Sequence, residues 1–545
     1  MGYLVIAIAV AVAVAVVASG RAAAFAPVPD ASRMVGARGA RAARACRVAG
    51  TCTRRGAAPA SAETARSVAA AALAKASSTK KSSTGMGAGQ HLDASPAFQA
   101  LPSQSDRSYA RLLVATAERR LGQIDSVLSG CIDRTPTGRH AAAARACLRL
   151  GAAQLLFLDT PAHAAVKETV DVFKMGGGGG GRGQRRRAPP ESMVKFVNAV
   201  LRRVQREGRD VLDQHTSPLD NVSPWLVQEW TEAYGEEGAG RIAEQCLEEP
   251  PIDLSLRDIG DAERVLEDFG QGATLLPNGS IRVGGSVRGA VTSWPGYQDG
   301  SWWVQSAAST LPALGLISAL KEKGREDGPC PVPLGDMHVV DMCAAPGGKT
   351  AQLLAAGFGR VTAVEASARR SRRLVENLER LRLLGGRAKV VVSEGQKWFP
   401  DAEADDGSNA RPISGILLDV PCSATGTGSR RPDVLRRDSD LGNLPETQEA
   451  LLSHCCNCLL GVGGIVVYAT CSLLKRESED QVQKVLSNSK GGGAVMKTLP
   501  FERGEISGFD GAIDANGWLR VTPGSLGGAL GRVDGFFVAR LQRIK

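Results

Sequence analysis

Cysteine is sparse in this chain: 12 of 545 residues, with no regular spacing between them. That density excludes a disulfide-built scaffold and favours a reducing compartment. Charge of one sign is also missing from most of the chain. The formal net charge is +10, but residues 1–104 hold 12 Lys and Arg against 3 Asp and Glu, leaving 54 against 53 in the remaining 441. The basic balance is therefore a property of the leader, and net charge gives no reason to expect the folded body to bind nucleic acid. There is no internal repeat and no Gly-x-x-x-x-Gly-Lys phosphate loop. The length suggests about three to four domains. A hydrophobic share of 43% is enough to form real cores, which excludes disorder of the whole chain.

Residues 3–18 (YLVIAIAVAVAVAVVA) form an unbroken apolar run of 16, short of the ~20 that span a bilayer as a helix. Small residues follow, with Ala24-Phe25-Ala26-Pro27 at the junction, as at a signal-peptide cleavage site. Residues 28–90 are rich in Ala, Ser and Arg and poor in acids, the composition of an organelle transit peptide. This order resembles the bipartite leaders of proteins imported into secondary plastids of red-algal type, with Phe25 where that resemblance requires it. The expected location is the plastid; the mitochondrion, ordinary secretion and a membrane anchor are the alternatives. No stable membrane association is expected after processing. Residues 1–104 are read as a targeting leader and disordered linker.

Residues 105–215 carry a helical period: Tyr109, Leu112, Leu113 and Ala117 recur at three to four residues, and 141–158, 164–173 and 193–204 continue it. A glycine–arginine tract at 176–187 (GGGGGGRGQRRR) interrupts as a flexible loop. Residues 216–330 are mixed, and Trp225, Trp230, Trp294, Trp302 and Trp303 all fall there. These tryptophans suit either stacking on exposed bases or a core. From 331 to 545, short apolar runs (MHVVDM, RVTAVE, AKVVVS, ISGILLDV, GIVVYAT) alternate with helical stretches. That alternation predicts a doubly wound parallel α/β sheet. GFFVARL at 535–541 adds an antiparallel strand near an edge.

Ligands of such sheets lie beyond the carboxyl ends of the strands. The first strand runs into Cys343, Ala344, Ala345, Pro346, Gly347, Gly348 and Lys349, small residues that let the backbone approach a ligand at the start of a helix. The second ends at Glu365, placed for ribose hydroxyls, the third at Glu394 and the fourth at Asp419-Val420-Pro421-Cys422. Three acids and a glycine loop at successive strand ends describe a site for an adenosine-type cofactor. The fifth strand ends at Thr470-Cys471-Ser472, so Cys422 and Cys471 share one edge. His454, Cys455, Cys456 and Cys458 point to different faces of a helix and read as core packing rather than a zinc site.

CAAPGGKT, LLDVPCSATG with the following RRPDV, YATCS and DGFF together resemble the signature set of the RNA 5-methylcytosine methyltransferase family, the NOP2/Sun group. The helical region resembles the NusB-like domain of that group's RsmB-type members, through DRSYA, LRLGAAQLLFLD, PAHAAVKETVD and FVNAVLRR. The resemblance implies a Rossmann-like S-adenosylmethionine-dependent catalytic domain, preceded by an all-α NusB-like domain and a small mixed α/β linker domain. It implies Cys471 as the nucleophile on carbon-6 of cytosine, Cys422 as the group that resolves the adduct, and Asp419 at the base edge. It implies S-adenosyl-L-methionine on Cys343–Lys349, with Glu365 on ribose, Glu394 near adenine and Asp419 facing the cofactor. Covalent attack is the expected route because carbon-5 of cytosine is a poor nucleophile until a thiolate adds at carbon-6, and such chemistry needs an unstacked base.

The basic residues Arg430, Arg431, Arg436 and Arg437, next to the catalytic loop, are expected to contact RNA phosphates. The expected substrate is small-subunit (16S-type) rRNA and the expected state a monomer. The alternatives are the same chemistry on tRNA, or a non-catalytic RNA-binding ribosome assembly factor. Several positions depart from the family pattern: Ser306 follows Gln305 where Asp is usual, Glu365 and Glu394 stand for Asp, and Arg431 stands for His.

Overall fold

Alanine- and leucine-rich stretches form the N-terminal helices of the computed structural model, which describes residues 63–78, 87–176, 188–285, 287, 289–326, 332–400, 412–437, 441–488 and 493–545. Helices α1 (Ala65–Ser78), α2 (Gln104–Arg119), α3 (Leu121–Cys131), α4 (Ala141–Phe157), α5 (Ala162–Lys174) and α6 (Glu191–His215) surround one core. Ala69, Ala70, Ala144, Ala152 and Ala153 are all buried there, and their small side chains let the helices approach closely.

The boundary expected at residue 104 falls too late. Helix α1 and the buried Leu92, Phe98 and Leu101 belong to the same core as α4 and α6. The alanines that lend 28–90 a transit-like composition become, from Ala65 onward, the packing face of a helix. The apolar run 3–18, the Ala-Phe-Ala-Pro junction and the glycine–arginine tract from residue 177 to 187 lie outside the described residues.

Helix α7 (Pro224–Cys246) leads into an antiparallel sheet of order β2-β3-β1-β4, built from β1 (Ile252–Leu256), β2 (Ala273–Leu275), β3 (Ile281–Val283) and β4 (Trp302–Val304). Trp294 and Trp302 fill its core with Leu254, Ile281 and Val283. Trp230 and Trp303 are buried as well, so of the five tryptophans only Trp225 retains partial exposure, and the stacking alternative is excluded for the other four. The boundary expected at 330 also moves. Residues Ala307–Leu320, including most of helix α8 (Leu311–Glu326), share a core with the strands that follow.

The large sheet has the order β10-β12-β9-β8-β5-β6-β7, with β11 paired to β12. Its strands are β5 (His338–Met342), β6 (Arg360–Glu365), β7 (Ala388–Val392), β8 (Ile413–Asp419), β9 (Ile465–Thr470), β10 (Met496–Thr498), β11 (Leu519–Val521) and β12 (Phe536–Arg543). Strands β5 to β9 pair in parallel, and β12 runs antiparallel to β9, β10 and β11. Every residue of β5 and β9 is buried, as expected for strands covered on both faces. Helices α8, α9 (Gly348–Ala355) and α10 (Ala368–Arg380) cover one face; α11 (Leu444–His454) and α12 (Glu479–Asn488) cover the other.

Candidate active site

Register brings the expected residues into one row. Met342 on β5 lies opposite Val364 on β6 and Leu418 on β8, so Glu365, Cys343 and Asp419 follow at the same carboxyl edge. Asp419 in turn lies opposite Ala469 on β9, two residues before Cys471. Both loops leaving this edge contain a non-glycine residue in the left-handed region, Cys343 at φ 60° and Ala424 at φ 60°, conformations that cost energy and tend to occur at functional sites.

Cys422 and Cys471 meet with their sulfurs 3.4 Å apart, both as free thiols. The hydrogen bond from Cys471 holds the Cys422 pKa below the ordinary thiol value, against burial and the nearby Glu477 and Asp419 carboxylates. The same bond pushes Cys471 well above it, together with burial and the charges of Cys422 and Asp419, while Lys349 pulls it back down. The pair therefore sheds its first proton readily and holds its second. Cys343 differs: burial, with Asp419, Glu365 and Asp341 adding their charge, raises its thiol to about 12. At neutral pH it is an inert thiol lining the loop.

Lys349 reaches across the edge to donate to Asp419 Oδ2 at 2.7 Å, and its Nζ lies 5.5 Å from the Phe536 ring centre. Burial opposes its charge, but Asp419 and Asp341 outweigh that and leave its pKa raised. A permanent ammonium thus stands beside the thiol pair. Asp341, behind it, is fully enclosed. Burial raises its carboxyl to about 7 despite a hydrogen bond from Thr350, and its Oδ1 has no partner.

The loop from Cys343 to Lys349 is built as a cradle. Gly347 sits at φ 99°, and a Cβ there would meet Leu374 Cγ at 3.1 Å. Ala344 and Ala345 are buried, Pro346 O accepts from Asn377, and α9 begins at Gly348. Glu365 accepts from the Ala345 and Ser367 amides and pairs with Arg370 at 3.5 Å. Glu394 is half exposed and pairs with Lys397 at 2.7 Å. Carboxylates at three strand ends, a helix start opened by glycine and an unpartnered buried Asp341 oxygen fit a cationic adenosyl cofactor.

Glu477 and Gln448, which no motif marked, hold the sulfurs in place together with Ser423, Gly426 and Ser472 of the motifs. Glu477, on the polar run KRESED, is 0% exposed. It accepts from the Ser423 amide at 2.9 Å, from Gln448 Nε2 at 3.0 Å, and from the hydroxyls of Ser423 and Ser472. Ser423 follows Cys422 and Ser472 follows Cys471, so one carboxylate ties the two cysteine loops together. Gly426 adds a backbone lock, donating to Cys471 O and accepting from Gly535 N.

The four arginines expected to contact RNA all have partners within the protein. Arg430 is ion-paired with Asp534 at 2.8 Å and donates to Pro251 O, making it an internal brace. Arg431 and Arg437 both pair with Asp433, and Arg436 donates to Asp220 O. Arg430 is thus taken up by internal partners, while Arg436 and Arg437 stay exposed beside the loop. Cys455 and Cys456 are buried in the core beneath β8 and β9, while His454 contacts the Trp398 carbonyl at 2.8 Å.

A family model described as 16S rRNA methyltransferase RsmB/F matches residues 332–542, and the NusB family model matches residues 63–206. The ribosomal RNA small subunit methyltransferase B of Serratia proteamaculans is 32% identical over 412 residues, covering 72% of this chain and 84% of that protein. Its namesake from Xylella fastidiosa is 31% identical over 455 residues, covering 82% and 91%. The crystal structure of PH0851 superposes with a TM-score of 0.60 at 18% identity, covering 88% of this chain and 99% of that one; at that identity the likeness speaks to fold.

Proposed function

Because the chain belongs to the 16S rRNA methyltransferase RsmB/F family and is an S-adenosylmethionine-dependent rRNA methyltransferase, we propose that it methylates carbon-5 of a cytosine in small-subunit rRNA through a transient bond to Cys471. The observation that carries this reading is the pair of thiols 3.4 Å apart at the ends of adjacent strands, beside a Lys349–Asp419 ion pair. When bound, S-adenosylmethionine supplies an electrophilic methyl group on a sulfonium.

The chain's own residues do the rest. At rest the pair carries one proton, held by Cys471, with Cys422 as the thiolate. As Cys471 Sγ bonds to carbon-6 that proton passes to Cys422, and the electron pair moved into the ring makes carbon-5 nucleophilic. Asp419 and Lys349 hold the base edge and balance its charge. After carbon-5 is methylated, Cys422 loses its proton to solvent and takes the carbon-5 proton. The ring double bond re-forms and expels Cys471 as thiolate, which returns the pair to its starting state with one proton released overall.

Bisulfite sequencing of rRNA and tRNA with and without the protein tests the target. The reading expects one small-subunit cytosine to lose protection when the protein is absent; an unchanged map overturns it, and loss confined to tRNA favours that substrate. Among the described residues no helix is long and apolar enough to cross a membrane. The leader supports plastid import, and imaging of a tagged full chain tests it, a uniformly cytosolic signal counting against it.

A further inference from the structure

Arg430, Arg431, Arg436 and Arg437 each have a partner within the protein, whereas a second group of arginines at the same sheet edge has none. We infer that Arg369, Arg372 and Arg373, on the first turns of α10, form a phosphate-binding face that carries the RNA strand along the carboxyl edge of the sheet. This inference rests on the rRNA methyltransferase reading and adds where the strand lies.

All three side chains are exposed. Among the described residues none has a salt bridge or a side-chain hydrogen bond, and Glu376, one turn on, pairs with none of them. Ser371, Leu374 and Leu378 take the buried face of α10, so the arginines project outward as a group. Their placement works against local stability. No acid lies in the first turn of α10, where the helix dipole disfavours cations, and Arg369 stands three and four residues from Arg372 and Arg373, the spacings at which like charges repel. Four arginines in five residues, three of them uncompensated at the positive end of a helix, suit a polyanion that approaches from solvent.

Position completes the argument. Helix α10 starts three residues after Glu365, at the same sheet edge as Asp419. Strand β5 alone separates β6 from β8, a distance of about 10 Å between strand ends, which a few nucleotides cross. Arg370 within the group is already engaged, with Glu365 at 3.5 Å and Ala345 O at 2.8 Å, and it ties the face to the cofactor loop.

The test compares the full chain with an Arg369→Ala/Arg372→Ala/Arg373→Ala triple variant and with the matching lysine triple. Affinity for a single-stranded rRNA fragment that the wild type methylates is measured across salt concentration, and S-adenosylmethionine affinity is measured alongside. Three lost phosphate contacts are expected to flatten the log–log salt dependence by about 2 and to weaken RNA binding at least about tenfold at low salt, with cofactor affinity unchanged and the lysine triple like wild type. An unchanged salt slope, or cofactor affinity falling in step with RNA affinity, overturns the inference. Failure of the wild type to methylate any rRNA fragment is a separate result, which defeats the underlying reading instead.

Discussion

The proposed mechanism gives each sulfur of the thiol pair a distinct task, and substitutions should separate them. Cys471→Ala removes the nucleophile and is expected to lower methylation by on the order of 10³-fold or more, with no denaturant-resistant protein–RNA complex on gels. Cys422→Ala leaves attack possible but removes the group that accepts the carbon-5 proton, so that complex is expected to accumulate. The pH dependence carries a sign. Cys471 holds the Cys422 pKa below the ordinary thiol value, so adduct formation in the wild type sets in below the ordinary thiol range. In Cys422→Ser the shared proton is gone, Cys471 must ionise against burial and Asp419, and the rising limb is expected to move to higher pH. Glu477→Gln should move it the other way, because the Glu477 charge opposes Cys422 ionisation. The same variant disturbs four donors that now converge on a carboxylate, which is expected to cost about 2–4 kcal/mol in urea unfolding. A pH limb that stays put in both variants would show that the pair does not share its proton.

At the scale of elements, catalysis depends on two loops leaving adjacent strands at fixed separation. A Cβ at Gly426 would stand 2.5 Å from Gly535 O and 2.7 Å from Cys471 O, both backbone atoms that cannot rotate away. Gly426→Ala is therefore expected to pry the Cys422 loop from the Cys471 loop and reduce single-turnover methylation by about 10²-fold, with the cofactor affinity retained; a near-normal rate would mean the loops tolerate displacement. The strand ends themselves were legible in the sequence. Strands β5, β6, β8 and β9 read as short continuous apolar runs because both faces are covered, and a parallel sheet places whatever follows such runs at one edge. Glu477 was not legible: it lies among Lys475, Arg476 and Asp480 in a polar run with no motif, and only the tertiary fold shows that Glu477 and Ser478 turn inward. Arg430 misled for the converse reason. Basic residues beside a catalytic loop read as a phosphate patch, while Asp534, its partner, opens the DGFF motif 104 residues away and nothing local marks the pairing. Helix α1 was hidden by composition, since an alanine-rich stretch with few acids suits an import signal as well as a packing face.

For the whole molecule, the helical region and the catalytic domain are joined at the loop that follows Cys422. Arg119 of α2 donates to Ser429 O, the Ser223 amide to Leu435 O, and Trp225 Nε1 to Arg437 O, so folding of the N-terminal helices and ordering of that loop support one another. The global stability of such a unit should also report the buried Asp341. Its carboxyl is raised to about 7 by burial, whereas an unfolded chain returns it to about 3.9. Between those values the native state binds the proton that the unfolded state has lost, so this group's contribution to stability declines as pH rises from about 4 to 7 and is constant above. Other carboxylates change stability over the same range, and the Asp341→Asn variant isolates the one of interest because Asn cannot ionise. Whatever its absolute stability, relative to wild type the variant is expected to gain about 2–4 kcal/mol between pH 4 and pH 8, read from urea midpoints at several pH values without cofactor. A difference between the two proteins that is flat across that interval would mean Asp341 is ionised in the folded chain, with Lys349 rather than burial governing its charge.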